Sequence, residues 1–186
     1  MTPLHPSATP IDIRSELASL PADTMSAWPL RWRFTDSKYS LLRPIHIEQI
    51  VPLAPLGARR LWQIIAQSRL HSEFPFMSGF FQHIEKMAIE DSHGNEMEDR
   101  RVRKRLYQQR IPFQTQIYLI WQPDWAVRTT WKMLVKYWTD FYHPISDDLT
   151  VFDGTFQWAC LFWHEQEIFF GTKYATKHDR HSNDAS

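Results

Sequence analysis

An α+β fold, with a helical first half packed on a mainly antiparallel sheet formed largely by the second half, is what this sequence predicts. Three observations carry the prediction. Apolar residues recur at helical spacing over 55–69 and again over 96–109. Residues 115–121 (T-Q-I-Y-L-I-W) place apolar side chains on both faces of an extended segment, as a central strand does. Three short apolar runs, 149–152, 156–164 and 167–171, follow one another with Asp153-Gly154 and Glu165-Gln166 between them, the signature of hairpin-linked strands.

Taken in order, residues 1–26 are dotted with proline and serine and read as a loosely ordered leader, with a short helix possible over 11–20. The alternation W-P-L-R-W-R-F over 28–34 predicts a half-buried strand. Pro44 opens a short helix that Pro52 stops. Pro55 occupies a first-turn position, and Leu56, Arg60, Leu61, Ile64, Ile65 and Ser68 continue a helix to about residue 69. Phe80, Phe81, Ile84, Met87 and Ala88 suit another helix, closed by a turn at 92–95. From Glu96 a charged helix has acids in its first turn and bases after them, in the sense the helix dipole favours. Pro123-Asp124 reads as the cap of a further helix, with Val127, Trp131, Leu134, Val135, Trp138 and Phe141 on one stripe. The expected organisation is a single domain over 27–174 between the leader and a polar tail, 175–186.

Composition limits what the chain can do. Of 186 residues 43% are hydrophobic, with nine Trp, twelve Phe and six Tyr, enough for a core without disulfides. The single cysteine, Cys160, forbids an internal disulfide and a Cys-rich metal site. It sits on an apolar strand face where a thiol is inert. The first thirty residues hold no apolar run of a secretory signal, and the longest apolar stretch, 158–163, falls far short of the ~20 residues of a membrane span. A cytoplasmic protein with no membrane partner is expected.

Net charge is zero but unevenly placed. Residues 137–172 carry Asp140, Asp147, Asp148, Asp153, Glu165 and Glu167 and no Lys or Arg, whereas 31–136 hold 17 basic against 10 acidic residues. Such a zone bears on partners rather than on fold. The basic run Arg100-Arg101-Val102-Arg103-Lys104-Arg105 follows five acids (Glu90, Asp91, Glu96, Glu98, Asp99) that cancel most of its field, which argues against a nucleic-acid partner. No glycine-rich phosphate loop and no G-x-S-x-G elbow is present. His164-Glu165 lacks the second histidine one turn on that a zinc-protease helix needs. No catalytic residue, cofactor or metal is therefore assigned. A small enzyme would have to assemble a site from His143, Asp147, Asp148 and His164, and a nucleic-acid binder would use the helix at 100–105.

The stretch T-T-W-K-M-L-V-K-Y-W-T-D-F (129–141), the S-D-D at 146–148 and the closing W-H-E-Q-E-I-F-F-G (163–171) resemble a group of small uncharacterised bacterial proteins. That group pairs a T-T-W helix with a D-D loop and a strand ending in F-G. The resemblance covers about a quarter of the chain and implies a bacterial source and a fold, without an activity. In kind, an acidic zone and many aromatics without catalytic signatures are similar to immunity proteins of interbacterial toxin systems, which bind a cognate toxin domain and block its active site. The expectation is a non-catalytic protein-binding module, an immunity or antitoxin protein. Its partner surface would be built from Asp140, Asp147, Asp148, Asp153, Glu165, Glu167 and Trp125 and would meet a toxin domain with a basic surface.

Overall fold

A computed structural model describes residues 13–71, 75–90 and 95–173. Their elements run α1 (Ile13–Ala18), α2 (Trp32–Thr35), α3 (Pro44–Ile47), β1 (Val51–Pro52), α4 (Pro55–Ser68), β2 (His83–Ala88), α5 (Glu96–Gln108), β3 (Gln116–Gln122), β4 (Trp125–Thr130), α6 (Trp131–Phe141), β5 (Leu149–Phe152), β6 (Trp158–Trp163) and β7 (Glu167–Thr172). The seven strands form one sheet in the order β1-β4-β3-β5-β6-β7-β2, antiparallel at every pairing. With helices mostly early and strands mostly late, the fold is α+β.

Period-two alternation in the central strands feeds two separate cores, one on each face of the sheet. Ile117, Leu119, Leu149, Val151, Cys160, Phe162, Ile168 and Phe170 point to one face, where α5 supplies Val102 and Leu106 and α6 supplies Trp131, Met133, Leu134, Trp138 and Phe141. Tyr118, Ile120, Phe152, Ala159, Leu161 and Phe169 point to the other, against Leu17 of α1 and Ala58, Leu61, Ile64 and Ile65 of α4. Helices thus cover both faces, so the central strands are apolar throughout.

Four local expectations are corrected. Residues 28–34 form turns leading into α2 rather than a strand. Trp28, Leu30 and Phe34 still fill the core, but they do so from a helical turn in which Trp28 stacks on Phe34 at 5.7 Å. Residues 125–130 are a strand, not the start of a helix. Pro123-Asp124 is the turn of a β3–β4 hairpin, Val127 pairs with Leu119, and α6 begins only at Trp131, after Thr130 accepts a hydrogen bond from the Met133 amide. The β-branched residues Val127, Thr129 and Thr130 favour that outcome. Residues 83–88 are β2, not helix, because tertiary pairing with β7 overrides a weak helical spacing. Finally, residues 13–26 are packed rather than loose: Leu17 is 1% exposed, Ala22 bridges to Leu53, and the Ala54 amide donates to the Pro21 carbonyl.

The turn expected at 92–95 falls mostly, and the polar tail wholly, outside the described residues, as do positions 1–12. The F-G that closes β7 has a packing cause: a Cβ at Gly171 would overlap the ring of Phe81. No helix among the described residues is long and apolar enough to cross a membrane.

Candidate interaction site

The loop between α6 and β5 gathers two of the acidic residues, Asp147 and Asp148, and its anchor is a residue that no local sequence pattern marks. Arg33, on α2, donates from Nη1 to Asp147 Oδ2 at 2.5 Å and from Nη2 to Asp147 Oδ1 at 3.1 Å. Both side chains are over nine-tenths buried. The carboxylate also accepts the His143 amide at 2.9 Å and the Ser146 hydroxyl at 3.2 Å, and Arg33 Nη1 reaches the Phe141 carbonyl at 3.4 Å. A buried ion pair holds only when its remaining hydrogen-bonding capacity is largely met, and here the loop's backbone and Ser146 meet much of it, while Arg33 Nε is buried without a partner among the described residues. Asp147 is therefore an internal tie of residues 141–147, not the exposed acid that was expected.

The tie fixes what the loop presents. Ile145 has φ +75° and is 78% exposed, with its amide donating to the His164 carbonyl at 3.1 Å. A β-branched residue in the left-handed region is strained, and such a residue persists only where its surroundings over-determine it. Beside it, His143 lies edge-on to Trp32 at 5.5 Å, and Trp32 packs on Tyr39 at 4.4 Å. Tyr39 is 53% exposed, so this aromatic group reaches solvent.

Acidic charge flanks this surface on one side. Asp148 Oδ1 contacts His164 Nδ1 at 2.8 Å and accepts the His164 amide at 3.2 Å, while His164 Nε2 lies 3.5 Å from Glu165. The hydrogen bond to Asp148 is the main reason the His164 ring holds its proton above the usual histidine range. Chemically this is a carboxylate–imidazole–carboxylate row on an open turn, its net charge set by one proton. Of the enzyme-like grouping of His143, Asp147, Asp148 and His164, Asp147 belongs to the internal tie with Arg33 and Asp148 to the surface pair with His164. Among the described residues no three His, Cys, Asp or Glu side chains are grouped to hold a metal ion.

The other acidic candidates scatter. Asp140 is buried at 8% exposure beside Ser40, and burial pushes its carboxyl up, so it offers nothing to a surface. Asp153, at the far end of β5, accepts from the Thr155 amide and hydroxyl and from Trp158 Nε1, holding its own turn. Glu167 is paired with Lys86 at 2.5 Å. Trp125 is half-buried against the core. Only Asp148 and Glu165 share one exposed place. Cys160 is fully buried, which pushes its thiol up and keeps it unreactive.

The basic run lies on α5, largely neutralised as its composition suggested: Arg100 pairs with Glu96, Arg101 with Glu98, Arg103 with Asp99 and Arg105 with Glu85. What the sequence could not announce was Arg33, 114 residues from its partner, and Ile145, whose conformation has no compositional marker. No family model, curated protein or solved structure matches the chain.

Proposed function

We propose that the chain is a non-catalytic protein-binding module acting in the cytoplasm, an immunity protein that neutralises a bacterial toxin domain by docking a basic face of it onto the 142–148 loop and the 164–166 turn. The observation that carries this reading is Ile145: an apolar side chain exposed to solvent in a strained conformation, on a loop tied down two residues later by a buried ion pair, with the Asp148–His164–Glu165 row near it. An exposed anchor that is already ordered loses little entropy on binding, and neighbouring acids speed encounter with a basic partner. Tyr39 and Trp32 extend the apolar part, in keeping with the aromatic character of interface hot spots.

The test is growth rescue and co-purification with the product of the adjacent gene. The wild type is expected to bind and protect, and Ile145→Asp combined with Asp148→Lys is expected to do neither while remaining folded. A wild-type chain that leaves that protein unbound and its toxicity unchanged removes the reading.

A further inference from the structure

A second surface lies at the sheet edge beyond β7 and has the opposite chemistry. β2 is the terminal strand, paired on one side only, with β7. The Ile89 amide donates to the Gln166 carbonyl at 2.7 Å, which sets the alternation. Apart from a shift at Gln82, residues 83, 85, 87 and 89 aim their backbone groups at β7, and Ile84, Lys86 and Ala88 aim theirs outward. The Ala88 carbonyl confirms the direction, since Arg101 reaches it from α5 at 2.5 Å. Among the described residues no strand pairs with the N–H and C=O groups of Ile84 and Lys86.

That edge is one wall of a groove. The other wall is α5, and the two border an open space of about 360 Å3 lined by Lys86, Met87, Arg101, Lys104, Arg105 and Gln108. Arg101, Lys104, Arg105 and Gln108 stand at i, i+3, i+4 and i+7, a single face of the helix. Glu98, Glu85 and Glu167 pair with Arg101, Arg105 and Lys86, and Lys104 is exposed with no ion-pair partner among the described residues. The groove therefore keeps one positive charge in excess over these acids. An edge strand facing a helix across an open groove is the arrangement in which an extended peptide adds to a sheet: main-chain hydrogen bonds supply affinity, and alternate side chains meet the helix.

We propose that this groove binds an extended acidic segment of another protein as an eighth strand alongside β2, with every second side chain a carboxylate turned to Lys104, Arg105 and Arg101. Sheet edges left open invite any strand, and proteins commonly guard them. Here the basic helix stripe selects which strand is admitted.

The experiment uses the full chain, 15N-labelled, and fluorescent hexapeptides of alternating glutamate and valine or alternating lysine and valine. The glutamate peptide is expected to bind at least about tenfold more tightly than the lysine peptide, and to slow hydrogen exchange at the Ile84, Lys86 and Ala88 amides while leaving 85 and 87 unchanged. Lys104→Glu, on the exposed helix face, should weaken binding by roughly tenfold. Ile84→Pro should abolish it by removing an outward N–H at an edge that tolerates proline. Should Ile84→Pro unfold the sheet, the exchange pattern and Lys104→Glu still decide. Bound glutamate peptide without protection of those three amides overturns the proposal. So does tighter binding of a single-stranded oligonucleotide lost on Lys104→Glu. Concentration-dependent protection of the same amides without any peptide also overturns it, since the occupant is then a second copy of the chain.

Discussion

Arg33 and Asp147, 114 residues apart, meet in a two-pronged buried ion pair that joins the turn-rich first segment to the loop leading into the β5–β7 meander. The pair ties α2 to the loop that carries Ile145, an exposed residue of positive φ.

Breaking that pair strands a buried charge. Arg33→Ala and Asp147→Asn are each expected to cost about 3–5 kcal/mol in urea unfolding, the usual range for a half-removed buried pair. A double-mutant cycle with Arg33→Met and Asp147→Leu should show a coupling above about 1 kcal/mol. Losses below 1 kcal/mol for both single variants contradict the role assigned to the tie.

Gly171→Ala should destabilise by about 1–3 kcal/mol, because the new methyl group overlaps Phe81 in a strand with no room to move. Phe81→Leu in the same background should recover part of the loss. Equal stability of wild type and Gly171→Ala by thermal melting contradicts the contact.

His164 holds its proton more tightly folded than unfolded, first through its hydrogen bond to Asp148. Stability from this pair is therefore complete below the unfolded value near 6.5 and is lost as pH rises through the higher folded value. Ring NMR should place the midpoint above 6.5 and return it toward 6.5 in Asp148→Asn. Above that midpoint the row Asp148, His164, Glu165 loses the positive charge of the imidazolium, so association with a basic partner should quicken as pH rises.

His71 behaves in the opposite sense. Burial pushes its ring down to about 4, against a hydrogen bond with the Pro75 backbone and the field of Asp148, while Nε2 contacts Thr150 Oγ1 at 2.9 Å. The unfolded chain takes up this proton first, so the contribution is whole above about 6.5 and is lost as pH falls toward 4, by at most about 3 kcal/mol. His71→Asn should flatten the acid limb of a stability–pH curve, and an unchanged limb contradicts a neutral buried ring.

The readable parts of the sequence were those where one local rule acted alone. Pro55 and the stripe to Ser68 marked α4, the acid-to-base order marked α5, and apolar runs broken by Asp153-Gly154 and Glu165-Gln166 marked β5, β6 and β7. Where two rules competed, pairing won. Val127 fits a helical stripe with Trp131, but its strand partner Leu119 decides its state, and the Met87–Ala88 stretch is settled by β7, about 80 residues later. The acidic zone was visible as composition, yet which of its members reach solvent depended on distant groups: Arg33 draws Asp147 inward and Ser40 accompanies Asp140. Ile145 carried no signal, because a strained backbone is a property of the closed loop and not of the residue.

The strand order also fixes when the sheet can be finished. β3 with β4, and β5 through β7, join neighbours in sequence and can zip as they leave the ribosome. β2 pairs only with β7, about 80 residues further on, so it waits unpaired while the chain between them is made. Closing that long loop comes after the meander has assembled. β2 is thus made well before it can be seated, and a ribosome stalled before β7 leaves it without its partner strand.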